Sequence, residues 1–150
     1  MLSTLRGFFL GRDSVGSRRR WSFVIGLFCI TFAAYAVGVF TITGDIVFIP
    51  GQAILLGLYA AGMVGYERGG LVFAWLAGFA PMLGYHADHA FLGLSYRSLM
   101  GRVSYFLAPD GLIFFGIRGV IIGAIGFVVG WAIRRGSSLY RHRNATDDGE

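Results

Sequence analysis

His86 and His89 stand about one helical turn apart with Asp88 between them, and two imidazoles at that spacing can share a metal ion or carry a proton. Two nitrogens do not close a metal site. Asp88 points partly away from them on a helix, and the third histidine, His142, falls near the far end of the chain. No metal or cofactor is expected. The group reads as proton-sensitive or ligand-facing, or else as an ordinary wetted segment at a membrane surface.

Arg118 completes this polar set. It lies six residues past Leu112 in an apolar stretch, about 9 Å along a helix. A guanidinium in hydrocarbon costs roughly 3 kcal/mol on insertion scales, so Arg118 either snorkels outward or meets an acid. Asp88 is the acid expected on its side, while Asp45 and Asp110 read as solvated. An ion pair there would serve function or simply fix helix register.

The clearest local pattern is glycine. Gly116, Gly119, Gly123, Gly126 and Gly130 recur at spacings of three, four, three and four, which makes one stripe without side chains. Small residues let helices approach closely in lipid, so the stripe is expected to pack inside a bundle or to join a second copy or another membrane subunit. Catalytic motifs are missing: there is no nucleophile elbow, HExxH, P-loop or Rossmann fingerprint. No enzymatic activity is expected.

The elements that must position these residues follow from composition. With 55% hydrophobic and 14% charged residues in 150, the chain is too apolar for an ordinary soluble domain, and its apolar residues fall in long blocks. The lipid bilayer is the expected partner. The formal charge is +5 and every one of the 13 basic residues is arginine. Because they flank apolar spans, orientation and headgroups account for them and nucleic acid does not. Cys29 is the only cysteine, which excludes an intramolecular disulfide. The block after Arg20 is too long for a cleaved leader and reads as a retained helix.

Four spans are predicted, at residues 21–42, 46–66, 71 to beyond 85, and 112–133. Pro50 falls near the start of the second. Glu67, Arg68, Gly69 and Gly70 form a short hairpin that makes the second and third spans antiparallel neighbours. The third is clean only to Tyr85 and must carry His86 or Asp88 with it to cross, and Pro81 is expected to kink it. Leu92, Tyr96, Leu99, Val103 and Phe106 repeat at offsets of four and three, which predicts an amphipathic helix over 91–107, ended by Pro109, Asp110 and Gly111. Leu2, Leu5 and Phe9 allow a short interfacial helix before the arginine run 18–20.

With the N-terminus inside, ten arginines are cytoplasmic and only Arg97 and Arg102 are outside. Trp21, Tyr66, Trp75 and Trp131 fall at the cytoplasmic ends of their spans, as an aromatic belt does. The sequon at Asn144 is then cytoplasmic and is discounted. The expected fold is an all-α, single-domain membrane bundle over 1–150: a basic cytoplasmic segment 1–20, four transmembrane helices within 21–133 with an outer amphipathic helix before the last, and a disordered cytoplasmic tail 134–150. The expected role is a non-enzymatic structural, assembly or accessory subunit of the plasma membrane. The alternative is a small transporter or channel subunit that uses His86, Asp88, His89 and Arg118, and a membrane enzyme acting on lipid headgroups ranks third.

Overall fold

The computed structural model describes residues 16–41 and 50–147, with side chains over 18–41 and 50–137. The interfacial helix expected before residue 16 and the second-span start expected at 46 lie outside the described residues. Among those described the chain is all-helical: α1 (Gly16–Ala36), α2 (Gly51–Tyr66), α3 (Leu71–Asp88), α4 (Leu99–Phe106) and α5 (Pro109–Asp147). Among the described residues one stretch, Pro109–Ser137, is long and apolar enough to cross a bilayer. α2 is apolar but has 16 residues, α1 begins on its arginines, and α3 ends on His86 and Asp88.

Successive long helices alternate in direction. Tyr35 near the end of α1 packs with Ala53 at the start of α2 and with Tyr85 near the end of α3. At the opposite end, Arg19 and Arg20 of α1 meet Met63 and Glu67 of the α2 terminus and Phe73 of α3. α3 is the central helix, packed on α1, α2 and α5, and α5 also lies along α2. Arg19, Arg20, Arg68, Arg134 and Arg135 thus gather at one end of the bundle.

Several boundaries differ from the sequence expectation, each for a local reason. α1 stops at Ala36 and not at 42, because Gly38 adopts a left-handed φ of 75° that lets Phe40 bond back to the Ala34 carbonyl. The α2–α3 hairpin closes with Gly69 N–H on the Val64 carbonyl at 2.8 Å, around Arg68 at φ 60°. That conformation costs a residue with a Cβ roughly 1–2 kcal/mol. α3 runs as one helix through the buried Pro81. The amphipathic helix expected over 91–107 is two pieces: a π-helical turn, His89–Gly93, continues α3, and α4 begins only after Ser98, whose hydroxyl caps Gly101 N–H. The tail expected to be disordered is helical as far as Asp147. Once the apolar part of α5 has nucleated a helix, each further residue adds a hydrogen bond, and Gly136 is too small a penalty to stop it.

The core is rich in alanine, with Leu27, Tyr35, Met82, Tyr85, Ile122 and Phe127 buried among the small residues. Ala53, Ala60, Ala61, Ala74, Ala77, Ala80, Ala87 and Ala90 are all buried, whereas Ile25, Ile30, Leu55, Ile113, Ile117, Ile121, Ile125, Val128 and Ile133 are exposed. Large apolar side chains therefore cover much of the outside, and alanines make up much of the inside.

Candidate functional site

The polar end opposite the arginines is positioned by α3, the π turn, α4 and the first turns of α5. His86 is 3% exposed and sits among aromatic rings, with centroids 5.5 Å from Tyr105, 5.5 Å from Phe106 and 4.9 Å from Phe115. Its Nε2–H donates to the Phe106 carbonyl at 3.2 Å, so the imidazole ties the end of α4 to α3. A carbonyl can only accept, which fixes the proton on Nε2. The ring faces protein and not a ligand space.

His89 lies one turn further on, with its ring 5.9 Å from that of Tyr105. Asp88 lies within electrostatic reach of His89, Tyr35 and Tyr85. The structure thus gathers His86, Asp88 and His89 around the end of α3. It does not bring Arg118 to them. The Arg118 guanidinium sits 4.0 Å from the centroid of the Phe114 ring one turn earlier on α5, and among the described residues it forms no ion pair with Asp88. A stacked arginine covers its charge with a ring quadrupole on its own helix, which is cheaper than ordering two distant side chains. No three potential metal ligands lie together among the described residues.

The sequence assigns Arg102 only to the outer side, and the structure gives it a definite set of partners. Its guanidinium donates to the carbonyls of Arg97 at 3.0 Å, Phe91 at 3.1 Å, and Ser95. Those carbonyls are orphaned where the π turn unwinds, and one planar fork satisfies all three. The signal that could have found it is the lone arginine one turn after a Ser cap and eleven residues after Phe91. Replacing Arg102 with Ala should cost about 2 kcal/mol, the worth of charged hydrogen bonds at a partly exposed site. Hydrogen exchange over residues 91–98 should speed up accordingly, and Arg102→Lys should recover little of the protection. Unchanged exchange in Arg102→Ala would remove Arg102 from this role.

The glycine stripe divides. A Cβ on Gly119 would meet Phe79 Cα at 2.6 Å, and one on Gly123 would meet the Ala74 carbonyl oxygen at 2.6 Å and Trp75 Cα at 2.7 Å, so both lie on α3. Gly126 lies on α2, 2.6 Å by the same measure from the Leu58 carbonyl oxygen, and Gly130 lies against Gly62 and Tyr66. Gly116 has nothing within 4 Å. The facing helices contribute Gly62, Gly65 and Gly78, so backbone approaches backbone along the seam, and Gly57 brings α2 close to Gly78 of α3. Trp21, Tyr66 and Trp131 are exposed near the arginine end, whereas the indole N–H of Trp75 is buried with no hydrogen-bond partner among the described residues. No family model matches this sequence, and no curated protein or solved structure shows significant similarity to it.

Proposed function

We propose that the chain is a non-enzymatic multi-pass membrane protein, a structural or assembly subunit whose α1, α2, α3 and α5 all cross the bilayer with both termini on the cytoplasmic side. The observation that carries this reading is the extent of large apolar side chains left exposed around a core rich in alanine. Water would drive Ile, Leu and Val inward and leave small residues outside, whereas lipid solvates large apolar side chains and rewards close contact between small ones. Large exposed apolar residues occur on α1, α2 and α5 alike, with Ile30 at 63%, Leu55 at 66% and Ile125 at 52% exposed. The gathering of arginines at one end supports the orientation.

A structural role fits the close seam. Helix backbones touch along α5, and of the polar residues that a conduction path would need, His86 and His89 sit among aromatic rings while Arg118 stacks on Phe114. The second reading, a transporter or channel subunit, is favoured by one feature, the π-helical turn directly after Asp88, since such turns recur at functional sites. Flux through proteoliposomes separates the two. Proton and potassium leakage in the presence of the pure protein should equal that of empty liposomes. A flux abolished by Asp88→Asn would overturn the structural reading and establish the other.

A further inference from the structure

We infer that the arginine end carries a built site for the phosphate headgroup of an anionic phospholipid, at the junction of the α2–α3 turn with α5. The site is a recess of about 370 Å³ lined by Arg68, Trp131, Arg134 and Arg135. Two of its members are held in place. Arg134 donates from Nη1 to the Tyr66 carbonyl at 2.6 Å, and the Arg135 guanidinium stands 5.2 Å from the centroid of the Trp131 ring. Arg68 reaches the recess from a left-handed backbone position that usually belongs to glycine. Unfavourable backbone of this kind persists where surrounding structure enforces it, and ligand clamps are among those places.

Three guanidiniums around one recess are complementary to a group with several anionic oxygens, and a phosphodiester presents them tetrahedrally. The lipid is favoured as its source by where the recess opens. It lies at the end of the apolar stretch of α5, beside Trp131 and Tyr66, both 43% exposed, rings suited to headgroup depth. Below it Val128 and Val129 are exposed on α5, where acyl chains would run. The site rests on the membrane reading given above.

The test uses the full chain purified in mild detergent, with native mass spectrometry and thermal unfolding in the presence of phosphatidylglycerol, phosphatidylcholine or inorganic phosphate. Phosphatidylglycerol should be retained as a bound copy and raise the melting temperature by several degrees, and phosphatidylcholine should do neither. The effect should vanish in Arg68→Gln/Arg134→Gln/Arg135→Gln and persist in Arg18→Gln/Arg19→Gln, which removes charge at the same end. If the triple variant does not fold, Arg68→Gln alone carries the comparison, with an expected loss of at least half the shift. Equal retention of both lipids, or an undiminished shift in the Arg68 variants, would overturn the site. An equal shift with inorganic phosphate would overturn the lipid as its occupant. A chain that inserts into neither lipid on reconstitution fails the membrane reading instead, so the two failures are distinct.

Discussion

Gly123→Leu is expected to destabilise the protein by about 3 kcal/mol or more, while Gly116→Leu, seven residues earlier in the same stripe, leaves stability unchanged or slightly raised. The two positions differ only in what surrounds them. A Cβ at Gly123 falls 2.6 Å from a carbonyl oxygen and 2.7 Å from a Cα of α3, and backbone atoms cannot rotate out of the way as a side chain can. The helices must separate. Overpacking typically costs 1–3 kcal/mol, and separation here also loosens Gly119 and Gly78, whose added Cβ would lie 2.5 Å from the Gly119 carbonyl oxygen. At about 2–4 °C per kcal/mol for a chain of this size, the melting temperature in detergent should fall by roughly 6–12 °C. Gly116 has open space and would gain about 1 kcal/mol in helix propensity at most. Equal melting temperatures for the two variants would contradict the seam.

The second large effect concerns the outer face of α5. Ile121 and Ile125 are 53% and 52% exposed and lie near the middle of the apolar stretch. In water, two exposed isoleucines can become arginines at a cost within about 0.5 kcal/mol each. At the centre of a bilayer each arginine costs about 2.5–3.5 kcal/mol against insertion, so Ile121→Arg/Ile125→Arg should oppose insertion of α5 by roughly 6 kcal/mol. The chain after it would then stay on the outer side. With Cys29→Ser as background and a reporter at Ser137→Cys, an impermeant maleimide should label intact cells carrying the double variant and spare those without it. A double variant whose reporter remains protected would place these residues against something other than lipid.

The all-helical architecture was legible in the sequence because long apolar blocks broken by short polar turns favour helices. Apolar block length marks helices, and the glycine register marks a close face whatever its partner turns out to be. The residues between helices were harder to read. The period of Leu92, Tyr96, Leu99 and Val103 is that of one amphipathic helix, but the break at Gly93 to Ser98 depends on Arg102 reaching back to three carbonyls, a tertiary contact with no local periodicity. The stop of α1 at Ala36 depends on a single glycine in a left-handed turn within an unbroken apolar run. The polar set depends on how the helices face one another, with His86, Asp88 and His89 gathered at the end of α3 and Arg118 apart from them. Asp88 and Arg118 are matched in charge and side, yet rotation about α5 lets Phe114 take the guanidinium instead. Facing of this kind is set by helix packing, which spacing along one chain does not encode.

Four crossings define the proposed bundle, and labelling at two turns tests them most directly. In the Cys29→Ser background, a cysteine at Ser98 should react with impermeant maleimide in intact cells, and a cysteine at Glu67 should react only after the membrane is opened. That result requires α3 to cross between them. Labelling of both positions from the same side would mean that α3 does not cross and would contradict the four-helix membrane bundle.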